Sequence, residues 1–554
     1  MAQTRHNPWW VWTGWLIFLA VIFLPSVWFF ALTVAEEIGR AVAGQGAALG
    51  LSTRPMLLLI RSLALGGGAA ALALALGTAT GFLTTRVSFP GRRLLFVALL
   101  FPFLLPGYVY ATAWVELLAP RALVSGMAAS PSPVYSLGSS VLVLALCLFP
   151  WVHLAAGTGF ASIESHLEDA ARLALGGGRR FAAVSLPLVA GALAMAGLFV
   201  FVVAFKCHTI PMLMRQRVFA TETLIAYEAL GDDRAAAMNG LVIVVVALLA
   251  LPAALWTARR RKRVAVEGIS APWRSSQAAG LFHWRKPGLA ALAPPIALAV
   301  FFVAVAAPLA VLLHSAGAWS NYVIVWESAW PQVLNGLASA AVTATVALFL
   351  GFVLALHVGG PRDSLRRRMP GWRAAPTLAA LFVLFALPAP VLDLGLIRFW
   401  NRPGPMGWLY DSPAMLVLGQ TAAFLPIAVL GLSVGLRQID PKLIEAADMA
   451  GLRPGTVARR ILWPMLRAWR LGVWLIVFVL SLNDSEAAVL LAPAGQATLS
   501  VRIMTLLHYA PDAQVSALCA IQVAVIAAAL GLTTAAALAW RNVARRFAAW
   551  RLLR

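Results

Sequence analysis

Twelve apolar stretches, most of about 20 residues or more, the length a helix needs to cross a bilayer core, leave this chain little freedom. They read at roughly 9–34, 56–85, 94–118, 136–159, 188–206, 237–257, 288–314, 334–358, 375–400, 414–436, 467–482 and 516–540. Hydrocarbon offers no partner to a backbone N–H or C=O, so each stretch must satisfy its own polar groups as a helix. The expected fold is therefore an all-α integral membrane protein with about twelve transmembrane helices. The fifth and eleventh runs are short, and their outer ends are expected to continue into the loops that follow.

Only 12% of the 554 residues are charged, against about 25% in a soluble protein. A net charge of +22 would suit nucleic acid, but the basic residues lie in short loops between apolar runs. That placement points to topology and to anionic membrane lipid as a partner, with no nucleic acid. With the N-terminus inside, 32 of the 43 Lys and Arg residues fall on the cytoplasmic side, so the chain is expected N-in and C-in. The first run is preceded by Arg5 and ends near Thr33-Val34-Ala35, as in a signal peptide, but its apolar stretch is longer than a signal core and is expected to be retained. Cys147, Cys207 and Cys519 are scattered, which supports neither a disulfide framework nor a zinc site.

A nearly constant offset divides the chain into two parallel halves of six spans. Arg61-Ser62-Leu63 answers Asn335-Gly336-Leu337, Asp169-Ala170-Ala171 answers Glu445-Ala446-Ala447, Leu186-Pro187 answers Trp463-Pro464, and Thr223-Leu224 answers Thr498-Leu499, each 274 to 277 residues on. The expected organisation is a first half over 1–257, a basic cytoplasmic linker over 258–287 and a second half over 288–554. An even number of spans per half puts equivalent loops on the same face.

Two of those loops carry the sharpest motif. In Asp440–Pro464, Asp440 suits an N-cap, Pro441 the first turn and Gly451 the helix end, which predicts a helix of about ten residues between two apolar runs. Leu443, Ala446, Ala447 and Ala450 fall at i, i+3, i+4 and i+7, a face of mostly small residues that lets another backbone approach. Glu445 lies just past the first turn, within reach of basic partners. The earlier loop, about 160–187, is a looser copy: Ser165 and Glu168 form a capping-box pattern, but Gly176 follows Asp169 by seven residues where Gly451 follows Glu445 by six.

Glu445, Ala446, Ala447, Gly451 and Pro464 have the residue types and spacing of the EAA loop, and by them the chain resembles the permease subunits of ABC importers. The resemblance implies the type I importer permease fold, with each short helix docking on a separate ATPase subunit. The ATPase-coupling residues it implies are Asp169, Ala170, Ala171 and Gly176 in the first loop and Glu445, Ala446, Ala447 and Gly451 in the second. Two such loops on one chain imply two ATPase copies, and the resemblance adds a periplasmic substrate-binding protein and an inner-membrane location. The stretch LSLNDSEAAVLLAPAGQATLSVRIMTLLHYAPDAQVSAL is most similar to fused iron(III)-type permeases, which makes iron(III) the expected solute. Lys206-Cys207-His208 departs from that pattern, and thiamine, 2-aminoethylphosphonate, polyamine and molybdate permeases have similar loops.

Polar residues at the edge of an apolar span are costly and mark a pathway or an interface. Lys206 and His208 after the fifth span, and Asn483, Asp484 and Glu486 after the eleventh, are the pathway candidates. Asp484, Glu486 and His208 also read as ligands for a hard cation, or as plain interfacial anchors. Glu116, Asp393 and Arg398 lie near the outer ends of spans three and nine, with Asp393 and Arg398 close enough in sequence to pair. No G-x-x-x-x-G-K-[ST] occurs, so the chain is not expected to bind ATP by a P-loop, the resemblance places ATP hydrolysis on a partner chain, and no cofactor or catalytic set is expected. A secondary transporter of the major facilitator type also has two parallel six-span halves, but gives no reason for paired Ala-rich helices after spans four and ten.

Overall fold

The computed structural model describes residues 9–43, 53–118, 135–163, 177–260, 287–359, 374–507 and 512–552, together with Ala171, Leu173, Leu175 and Tyr509. Asp169, Ala170 and Gly176 of the first EAA-like loop, and residues 261–286 of the linker, lie outside this set. Among the described residues nine helices are long and apolar enough to cross a membrane, or twelve if each of three bent pairs is one span. All twelve fall where the apolar runs lie. We label them α1 (9–42), α2 (Thr53–Arg86), α3 (Arg92–Leu104 and Gly107–Leu118), α4 (Leu137–Ala161), α5 (177–206) and α6 (Asp233–Arg260). The rest are α7 (287–316), α8 (Trp319–Gly359), α9 (Ala375–Ala386 and Ala389–Trp400), α10 (Ala414–Arg437), α11 (Pro454–Met465 and Arg467–Leu482) and α12 (Asp512–Leu552).

The apolar runs of spans three and nine give each as one stretch, and the structure breaks each into two arms. α3 bends by 98° and α9 by 108°. Each break falls just before a proline. Leu105 precedes Pro106 at ψ 127°, and Leu387 precedes Pro388 at ψ 134°, because a proline ring pushes the residue before it out of the helical region. The short spans also differ from expectation. α5 ends at Lys206 and gains its length at the other end, through Phe181–Ser185, while the second arm of α11 ends at Leu482 and is preceded by an arm bent at 74°. α8 begins at Trp319, well before its apolar run, and at 41 residues is about 60 Å long.

Packing of α2 against α4 turns on Gly77 and Gly81, four residues apart. A Cβ on Gly77 would lie 2.5 Å from Val152 Cβ and 2.7 Å from the His153 backbone nitrogen, and one on Gly81 would lie 2.7 Å from Ala156 Cβ. Apolar lipid gives helices no hydrophobic reason to associate, so such close backbone approach is what holds them. Beside it, buried His153 is satisfied at both ring nitrogens, 2.8 Å from Thr80 Oγ1 and 3.3 Å from the Phe96 carbonyl.

α1 and α7 each pack away from their sequence neighbours. Trp15 of α1 donates to Thr377 Oγ1 of α9 (3.0 Å), and Phe18 and Ile22 are buried in a core with residues of α8, α9, α10 and α11. Conversely Ala293, Ala297 and Ala304 of α7 are buried with α2, α3, α4 and α5, and Tyr110 donates to the Ala304 carbonyl (2.9 Å). α1 and α7 are thereby exchanged between the two groups of helices.

Candidate functional site

The polar residues that follow α5 and α11 converge on one seam, with each reaching across to elements far away in sequence. Lys206, the last residue of α5, donates to the carbonyls of Phe385 (2.7 Å) and Leu387 (3.4 Å) at the break of α9, and its ammonium lies 5.1 Å from the Phe385 ring centre. Asn483, just past α11, donates to the carbonyl of Leu104 (3.1 Å) at the break of α3. Helix ends leave carbonyls without intrahelical partners, and the two prolines create two such ends inside the apolar layer. Lys206 and Asn483 satisfy them, the cation facing the negative pole of the Ala375–Ala386 helix.

Between these two contacts Thr209 donates to Glu486 Oε1 (3.2 Å), and His208 Nδ1 lies 3.4 Å from the same oxygen. Asp484 turns inward: its Oδ1 accepts from the backbone nitrogens of Glu486 (3.1 Å) and Ala487 (3.3 Å) and so starts the short helix Glu486–Leu491. Its backbone carbonyl accepts from Ser500 (3.0 Å). Lys206, His208, Asn483, Asp484 and Glu486 are thus brought together as one cluster. The metal reading of Asp484, Glu486 and His208 is not supported, because among the described residues no group of three His, Cys, Asp or Glu side chains is placed to hold an ion.

Thr209 and its contact with Glu486 are functional geometry that the sequence reading missed; the signal available was the 277-residue separation of the two, the offset shared by Pro187 and Pro464. The expected pairing of Asp393 with Arg398 does not form. Five residues apart on a helix the two point in different directions. Asp393 is buried, while Arg398 pairs with Asp233 at the start of α6. Arg234 alongside pairs with Glu37 of α1, and Asp233, Arg234 and Arg398 border a cleft of about 470 Å³ with Trp28, Phe29 and Glu36.

The second candidate region lies on the surface. Asp440 Oδ1 accepts from the Lys442 backbone nitrogen (3.0 Å) and caps the helix Pro441–Met449, and Gly451 follows at φ 71°, a left-handed conformation that ends it. Ile444 and Ala447 are buried in the core shared with Ile439, Val457 and Leu462. Ala447 therefore faces its own chain, which corrects the outward face drawn from spacing. Leu443, Glu445, Ala446, Ala450 and Met449 are exposed, Met449 at 84%. Of the first loop only Ala171 among the coupling candidates is described, and it is buried.

No family model matches the chain. Against curated proteins, the chain is 29% identical over 251 residues to a protein named as the 2-aminoethylphosphonate transport system permease PhnV of Salmonella paratyphi A, covering 44% of this chain and 92% of that one. It is 24% identical over 224 residues to the spermidine/putrescine transport system permease protein PotC of Haemophilus influenzae, covering 39% of this chain and 85% of that one. It is also 20% identical over 458 residues to the Fe(3+)-transport system permease protein FbpB 2 of the same organism, which takes in 80% of this chain and 82% of that one. The relatives of this chain are permease subunits of ABC importers. They are transport subunits rather than enzymes, and with the apolar helices they support a multi-pass inner-membrane protein.

Proposed function

We propose that the chain is a fused, two-half permease that passes a solute from a periplasmic binding protein into the cytoplasm, driven by two copies of a separate ATPase. The observation that carries this reading is the helix Pro441–Met449: capped, seated on its own core by Ile444 and Ala447, and presenting Leu443, Glu445, Ala446 and Met449 outward. The halves are 1–257 and 288–554, joined by 258–287, with both termini in the cytoplasm. Supporting the repeat, Ser62 accepts from the Phe219 backbone nitrogen (2.9 Å) in the first half, and Asn335 donates to the Ala497 carbonyl (3.3 Å) in the second. In each half the contact ties the start of the second span to the segment just ahead of the Thr-Leu landmark. A relative of half length and one of full length fit the same organisation.

In this reading ATP binding closes the ATPase pair, the helices led by Glu445 and Asp169 move with it, and the two halves part along the seam of Lys206, His208, Asn483 and Glu486. Hydrolysis reverses the motion. Iron(III) is the solute we favour, supported by the relative that spans most of the chain. Uptake of labelled iron, 2-aminoethylphosphonate and spermidine by cells with and without the chain tests this directly. Loss of iron uptake alone upholds the assignment, and loss of one of the others instead replaces iron with that solute.

A further inference from the structure

Lys206 and Asn483 stand 277 residues apart, and so do Thr209 and Glu486. The first pair makes the same kind of contact twice: each donates to carbonyls at the proline break of a bent span, Lys206 to α9 and Asn483 to α3. Each donor comes from one half and each acceptor from the other. The second pair meets directly. In a two-fold arrangement a residue that touches its own equivalent lies on the axis. The Thr209–Glu486 contact therefore marks the pseudo-axis between the halves, with the two crossed contacts flanking it. A solute passing between the halves along that axis meets all three.

We propose that Lys206 and Asn483 are the positioning pair of the gate: each holds the broken carbonyl end of the opposite half's bent span, and the seam opens only when both release. This rests on the two-half permease reading above. The two arms are unequal. Lys206 donates to two carbonyls at a helix C-terminus, whereas Asn483 donates to one. Lys206 is the main hold and Asn483 the lesser.

Cys207, next to Lys206 and only partly buried, is a native reporter of seam opening, and fully buried Cys519 is an internal control for general loosening. Modification of each thiol in the purified chain by a small water-soluble methanethiosulfonate is followed by site-resolved mass spectrometry. Lys206→Met accelerates Cys207 by about tenfold or more, Asn483→Ser by a smaller factor, and Lys206→Arg stays near the parent, with Cys519 unchanged throughout. Unchanged Cys207 in both variants overturns the proposal. So does equal acceleration of Cys207 and Cys519, which reports loosened packing. Should Lys206→Met fail to fold, Asn483→Ser carries the test alone. In the assembled complex both loss variants raise ATPase turnover without binding protein, and faster Cys207 with unchanged ATPase turnover would show a latch that is not the gate. The thiol rates need no ATPase, so absence of that partner would sink the permease reading separately.

Discussion

The seam and the surface helix are built in opposite ways. The helix Pro441–Met449 is made from neighbours in sequence: Asp440 caps it, Pro441 starts it and Gly451 ends it. The seam is made from strangers, with Lys206 reaching Phe385, Asn483 reaching Leu104 and Thr209 reaching Glu486. A part that must be gripped by another protein gains from local rigidity, because its shape then survives any movement of the chain behind it. A part that must open gains from contacts between bodies that can separate as wholes. Local signals thus belong to the proposed coupling end, and long-range polar contacts to the proposed gate.

The sharpest way to break this contrast is Gly451→Pro. Proline fixes φ near −65°, against the 71° observed, so the helix end and its exit are rebuilt. Uptake is expected to fall to background while membrane insertion, followed by fractionation, and Cys207 reactivity stay at the parent level. Loss of insertion would show that the helix end serves folding rather than coupling. Met449→Glu is next: the 84%-exposed side chain makes no demand on folding, so thermal stability should hold while recovery of an ATPase partner drops about tenfold or more. Unchanged recovery would move the docking surface elsewhere.

On the seam side, Glu486→Gln keeps shape but removes the charge facing His208 and Thr209. A several-fold change in uptake with intact ATPase recovery is expected, the mirror image of Met449→Glu. If it cost ATPase recovery instead, the two regions would not be separable. Asp440→Ala removes one cap bond, worth about 1 kcal/mol, and should lower uptake by a modest factor through fraying of the helix. Arg398→Ala marks the floor. The Arg398–Asp233 pair is exposed at the arginine, such pairs are worth at most about 1 kcal/mol, and unfolding temperature should shift by only a degree or two.

The twelve helices were legible because apolar length alone decides them, and the cap, start and stop of Pro441–Met449 were legible because each is a one-residue rule. The breaks at Leu105-Pro106 and Leu387-Pro388 carried a signal as well, since a residue before proline leaves the helical region; counting apolar residues hides it. The outward face of the surface helix was drawn with Ala447 on it, and only the core beneath, with Ile439 and Leu462, shows why that alanine turns inward. The five pathway candidates were legible as costly polar residues, but not their partners. Nothing near Lys206 in sequence names Phe385, and five positions between Asp393 and Arg398 suggested a pair that helical geometry keeps apart.

The most direct measurement is purification of the tagged chain from its host membrane in mild detergent, with every accompanying protein identified and counted. The account predicts a P-loop ATPase at two copies per chain, lost with Met449→Glu and retained with Lys206→Met. A chain recovered without an ATPase, yet moving solute in proteoliposomes on a proton gradient, would contradict it and make the protein a secondary transporter.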